Sequence, residues 1–196
     1  MEILLIRHGE SEGNKHKCIQ GPNTPLSQEG RKQSRELGKK LAKEHIDVVY
    51  CSTMDRAKQT AELAFGHRKI QMVELDIIQE KLDGEWEGKP LSEINWELLT
   101  GTFETKNAPG GECLLDVQKR AKAFLKILEK EKRSKIAVIS HGTVIRLIIG
   151  HLLKKGIEEI IVNTVVENCS VSRVKYENGK FEVASYDFVP RLRKLG

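Results

Sequence analysis

The sequence predicts an α/β fold with a mostly parallel central sheet and helices on both faces. Three observations carry this. Apolar-rich runs at 3–6, 46–50 and 136–139 show no period-two alternation, the pattern of strands buried on both sides. Each run leads through a polar turn or loop into a stretch of helical periodicity, so strands and helices alternate along the chain. At 196 residues, with no repeat, low-complexity run or linker composition, the chain suits a single domain, 1–196, with a sizeable core.

The first strand, Ile3-Leu4-Leu5-Ile6, runs directly into Arg7-His8, two groups that a core rejects unless they are partnered. Gly9 then permits a tight turn and close approach of a ligand to the backbone. Residues 15–25 read as a polar loop, in which Asn14 just before it and Gln20 beside Gly21 are placed to bind an anion near His8. Ser27 caps a helix over 28–44, whose Gly30, Ser34, Leu37, Gly38 and Leu41 form a small-plus-apolar stripe suited to lying close on the sheet. The strand at 46–50 ends at Cys51-Ser52-Thr53. A helix over 54–65 follows, with Arg56 in its first turn, where free N–H groups and the helix dipole already favour an anion.

A third strand spans 70–73, and Glu80 follows the apolar pair Ile77-Ile78. Residues 81–111 have little strand character and read as a cap inserted over the sheet edge, containing Trp86, Trp96 and Phe103 but no Arg, with a short helix over 93–99 capped by Ser92. Leu114, Val117, Ala121, Phe124, Leu125 and Leu128 then mark an amphipathic helix. The strand at 136–139 ends in Ser140-His141-Gly142 and gives way to another helix, repeating the opening order of apolar strand, His, Gly. Strands at 170–176 and 181–186 flank Asn178-Gly179, a strong hairpin signal.

Composition narrows the partners. The net charge of +5 is spread over solvated faces, with short clusters at 39–40, 130–135 and 191–194 and no interleaved aromatics, which argues against nucleic acid and fits an anionic substrate. The basic tail after Val189 reads as surface. No apolar run has the length of a membrane span and no targeting motif is evident, so the expectation is a cytoplasmic protein without membrane contact. The four cysteines have neither C-x-x-C nor zinc-type spacing and are expected as free thiols. A homodimer is left open.

In a parallel sheet the carboxyl ends of the three buried strands lie along one edge, so Arg7, His8, Arg56 and His141 are expected to converge. Two guanidinium groups and two imidazoles around one point form an anion pocket suited to phosphate. An unprotonated His nitrogen there can attack phosphorus, and Glu80 can give a proton to the leaving oxygen and later take one from water. Cationic side chains supply the charge, so neither metal nor cofactor is required.

These residues fall in motifs that resemble the histidine phosphatase superfamily, with its phosphoglycerate mutase-like fold. Leu5-Ile6-Arg7-His8-Gly9-Glu10-Ser11 with Asn14 is similar to the R-H-G-E signature. The resemblance continues through Pro25-Leu26-Ser27 and Gly30, Ser52 with Arg56-Ala57 and Gln59-Thr60-Ala61, and Glu80 before Gly84, Trp86 and Gly88. It ends with Pro109, Gly111-Glu112 and Ser140-His141-Gly142. It implies a three-layer sandwich and a phosphohistidine on His8, with Arg7, Arg56, His141, Asn14, Gln20, Gly21 and Gly142 at the phosphoryl group and Glu80 as proton donor.

Within the family, the mutases place an Arg after the acid and an Arg pair in the cap. Here Lys81-Leu82-Asp83-Gly84 follows Glu80, and no Arg occurs between Arg68 and Arg120. The expectation is therefore a metal-independent phosphomonoesterase acting on small phosphorylated metabolites. A cofactor-dependent phosphoglycerate mutase and a non-catalytic phospho-ligand-binding protein are the alternatives. The apolar cap suggests tolerance of bulky, uncharged leaving groups.

Overall fold

The computed structural model describes residues 1–190; the predicted basic cluster at 191–194 and the tail around it lie outside the described residues. In chain order the elements are β1 (Glu2–Arg7), α1 (Glu12–His16), α2 (Gln28–Lys40), β2 (Val48–Ser52), α3 (Asp55–Phe65) and β3 (Gln71–Leu75). There follow α4 (Leu114–Leu128), β4 (Lys135–Ser140), α5 (Gly142–Leu152), α6 (Ile157–Asn163), β5 (Thr164–Val166), β6 (Val171–Glu177), β7 (Lys180–Ser185) and β8 (Phe188–Pro190). The main sheet has the order β3-β2-β4-β1-β6-β7, and β5 pairs with β8 separately.

β1 lies in the middle because it is apolar on both faces. It runs parallel to β4, with Arg7 opposite Ser140, and antiparallel to β6. Its side chains alternate between two cores. Leu4 and Ile6 join Leu37, Ala57, Ala61 and Phe65 under α2 and α3, while Ile3 and Leu5 join Val117, Phe124, Ile145 and Ile148 under α4 and α5. All four are at most 2% exposed, and each such side chain contributes about 1.5–3 kcal/mol over an exposed one. The result is the expected three-layer sandwich, mostly parallel, with the antiparallel pair β6-β7 at one edge. Asn178 and Gly179 both take positive φ, 51° and 75°, as the tight hairpin between those strands requires.

Several local expectations are corrected. The loop predicted at 15–25 begins inside α1, because Ser11 and Asn14 form a capping box that the short polar stretch conceals. The helix predicted over 28–44 ends at Lys40. The helix predicted over 93–99 is two single 3-10 turns, Leu91–Glu93 and Trp96–Leu98, and Ser92 lies inside the first instead of capping a helix. The stripe of α2 divides: Leu37 and Leu41 pack in the core with Leu4, Ile6 and Ile139 of the sheet, while its glycines meet α3 and the first turn, where a Cβ on Gly38 would stand 2.6 Å from the Ala64 carbonyl oxygen and one on Gly30 1.9 Å from that of Glu10. Among the described residues, no helix is long and apolar enough to cross a membrane.

Candidate active site

The carboxyl ends of β1, β2 and β4 meet on one edge, and the predicted side chains gather there. His8 is 2% exposed and its backbone is pinned on both sides: its N–H donates to the Ser140 carbonyl at 3.0 Å, and its own carbonyl accepts from Asn168 Nδ2 at 2.9 Å. Its ring Nδ1 stands 2.6 Å from the Gly9 carbonyl oxygen. A carbonyl only accepts, so Nδ1 carries the hydrogen, and Nε2 is left with its lone pair. Burial, reinforced by Arg7 and then Arg56, holds the His8 pKa well below the ordinary value of 6.5, which keeps that lone pair free at neutral pH.

The second imidazole sits behind the first. His141 is fully buried at the N-cap of α5, with its ring centroid 5.1 Å from that of His8. Its Nε2 is 2.8 Å from Ser52 Oγ, and among the described residues its buried Nδ1 has no partner. Ser52 Oγ accepts the Met54 N–H and keeps both a hydrogen to give and a second lone pair, so it is compatible with either tautomer of His141; when it donates to Nε2, the His141 hydrogen lies on Nδ1. Burial, with help from Arg56, also holds His141 well below 6.5.

Both arginines are cations stripped of most of their water. Arg56, 1% exposed, donates from Nη1 to the Gly21 carbonyl at 2.9 Å, and burial brings its pKa down to about 10. Arg7 donates to the Val166 carbonyl, and burial lowers its pKa as well. Among the described residues the Nε of each is buried without a partner. Unsatisfied donors on two buried cations carry a penalty that an anionic oxygen would remove. Glu80 completes the group: its carboxylate accepts the N–H of Lys81 at 2.9 Å and that of Thr143 at 3.2 Å.

Arg7, His8, Gln20, Arg56, Glu80 and Thr143 line a cavity of about 210 Å3. Gln20 is anchored through its Oε1 by Ser11 Oγ at 2.7 Å. Four predicted contacts stand outside that lining, the buried His141 among them. The Asn14 side-chain oxygen accepts the Ser11 N–H, the Gly21 carbonyl accepts from Arg56 and Thr24, and Gly142 abuts the Arg7 guanidinium, where a Cβ would lie 3.7 Å from Nε. A second cavity, of about 230 Å3, shares Lys81, Asp83 and Thr143 with the first and is walled by Trp86, Trp96, Leu99 and Phe103. Sequence reasoning assigned no role to Ser52 or Asn168, although both lie immediately beside strand ends.

The family model of the histidine phosphatase superfamily (branch 1) matches residues 3–188. The chain belongs to that superfamily. Among its relatives, the phosphatase PhoE of Bacillus subtilis is 27% identical over 97% of this chain and 96% of its own. Phosphoserine phosphatase 1 of Hydrogenobacter thermophilus is 31% identical over 74% and 73%. The solved structure of Bacillus stearothermophilus YhfR superposes with a TM-score of 0.83 at 28% identity, covering 94% of this chain and 95% of that one. Superfamily membership and these relatives make the chain an enzyme of the phosphatase class, on the mutase-like fold that the motifs implied.

Proposed function

We propose that the chain hydrolyses phosphate monoesters in two steps through a phosphohistidine on His8. The observation that carries this is the His8 ring: Nδ1 is tied to the Gly9 carbonyl, and the ring borders a cavity flanked by two partly unsatisfied arginines. In the first step the Nε2 lone pair forms a bond to phosphorus while the ester P–O bond breaks. Glu80, in its acid form, gives its proton to the departing oxygen and the alcohol leaves. In the second step Glu80 takes a proton from water, the water oxygen bonds to phosphorus, the P–N bond breaks and inorganic phosphate is released. Arg7, Arg56 and the Nδ1–H of His141 stabilise the charge on the transferring group, with Gln20 beside them. Asn14, Gly21 and Gly142 act from the surrounding backbone.

The adjoining aromatic cavity supports a substrate whose alcohol is apolar and bulky. The cations nearest to it, Lys81 and Lys106, offer little for a carboxylate: Lys81 is paired with Asp83, and Lys106 lies over the Phe103 ring at 5.2 Å. That favours hydrolysis over phosphoglycerate transfer.

Incubation with para-nitrophenyl phosphate, with and without chelator, tests the reaction, and denaturing alkaline quenching with labelled ester tests the intermediate, since a P–N bond survives base and is cleaved in acid. The expected result is chelator-insensitive turnover with label on His8. A panel of esters run beside a mutase assay tests the substrate. Strict preference for carboxylated esters, or transfer to phosphoglycerate, overturns the phosphatase reading, and absence of turnover at every pH leaves a phospho-ligand-binding protein.

A further inference from the structure

The groups around Glu80 are held from a direction the reaction does not otherwise use. Arg120, on α4, has five N–H donors, and all five are engaged. Nε and Nη2 grip the Glu112 carboxylate as a fork at 2.8 and 2.7 Å. Nη1 donates to the Ile77 and Gln79 carbonyls, each at 3.0 Å, and Nη2 reaches the Glu80 carbonyl at 3.4 Å. Glu112 completes the grip on the far side of Glu80: its Oε2 accepts the Leu82 N–H at 3.0 Å, and its own N–H donates to the Leu82 carbonyl at 2.8 Å. Ser140 Oγ holds the carbonyl between these, that of Ile78, at 2.8 Å. The backbone on both sides of Glu80 is thus fixed to a helix and a turn, while its carboxylate accepts two backbone N–H groups, those of Lys81 and Thr143.

We propose that Arg120 and Glu112 are positioning residues whose function is to hold the Glu80 carboxyl at the departing oxygen. This rests on the reading of Glu80 as the acid that protonates the alcohol. A guanidinium fork suits the task because it holds several carbonyls and a carboxylate in one plane, which the three rotatable donors of a lysine do not. Neither residue lines the polar cavity, so their effect on the reaction passes through Glu80.

The test uses the dependence of kcat/KM on the leaving group, because this parameter reports the step in which the ester bond breaks. A nitrophenolate leaves without a proton; an alkoxide does not. Arg120→Met is expected to lose about 10²-fold on an alkyl phosphate and about threefold or less on a dinitrophenyl phosphate. Arg120→Lys keeps the charge without the fork and is expected to lose about tenfold on the alkyl ester alone. Glu112→Gln sets an amide N–H against the Leu82 N–H and Arg120, and should show the same selectivity. If Arg120→Met fails to fold, the other two variants carry the comparison. Glu80→Gln, run alongside, separates the two claims. A steep leaving-group dependence for Glu80→Gln beside equal losses on all esters, or no loss, in the Arg120 and Glu112 variants overturns the positioning role alone. A flat Glu80→Gln profile removes the acid assignment and this inference with it.

Discussion

Two strand ends in this molecule have nearly the same local sequence and opposite chemistry. β1 ends in Arg7-His8-Gly9 and β4 in Ser140-His141-Gly142, and both imidazoles are buried beside the same arginines. In His8 the nitrogen nearer the backbone, Nδ1, is bound to the Gly9 carbonyl and Nε2 is left over; in His141 the outer Nε2 meets the Ser52 hydroxyl and Nδ1 is left over. A carbonyl partner makes the remaining nitrogen a lone pair. A serine hydroxyl that gives its hydrogen to Nε2 makes the remaining nitrogen a donor. In the proposed reaction one histidine attacks phosphorus and the other stabilises the transferring group, and the hydrogen-bond partner of each ring is what separates those two roles.

That contrast can be broken most directly at His8. His8→Ala is expected to reduce turnover by about 10³-fold or more and to abolish the alkali-stable, acid-labile labelling of the protein. His141→Ala should reduce turnover by about 10²- to 10³-fold, the scale of losing one preorganised donor, yet still take up label, only slowly. Label retained in His8→Ala and lost in His141→Ala would reverse the two assignments. Ser52→Ala sharpens the comparison: it removes the group that fixes the His141 hydrogen and should reduce kcat about tenfold, about the worth of one hydrogen bond, with KM for the ester little changed. An unchanged kcat would show that Ser52 does not set the tautomer.

The smallest effect is on stability. Both imidazoles have folded-state pKa values well below 6.5, principally through burial. The unfolded chain therefore binds more protons as pH falls below about 6.5, so stability is full above that value and declines on acidification. Urea midpoints between pH 7 and 5.5 should fall, and fall less steeply in either His→Ala variant. A midpoint that rises on acidification would contradict the burial of neutral imidazoles.

Much of this site was legible because its residues follow apolar runs. Arg7, His8 and His141 come directly after strands that can only be buried, and Arg56 sits in the first turn of a helix after such a strand, so a parallel sheet had to bring them to one edge. Glu80 was legible by the apolar pair Ile77-Ile78 before it and by its place in the motif order, and not by a strand end, since it lies beyond β3 in a stretch of single turns. Arg120 left a fainter signal. It stands between Val117 and Ala121 on the buried stripe of α4, where an exposed arginine is out of place, and its partners are backbone carbonyls that no side-chain pattern marks. The short helices α1 and α6 were missed because five and seven residues give too little periodicity to read.

By itself the sequence determined the layers, the parallel sheet and which side chains share its edge, because these follow from apolar periodicity and from the connection rules of α/β chains. Only the tertiary structure decided which nitrogen each histidine presents, how the backbone at Glu80 is anchored, and that the apolar cap residues wall a cavity joined to the polar one. Apart from the local bond of His8 to Gly9, the hydrogen bonds involved join residues far apart along the chain, such as Arg120 with Gln79, Ser140 with Ile78 and His141 with Ser52. Hydrogen bonds of that range are settled by distance and angle in the folded chain, and residue type alone does not encode them.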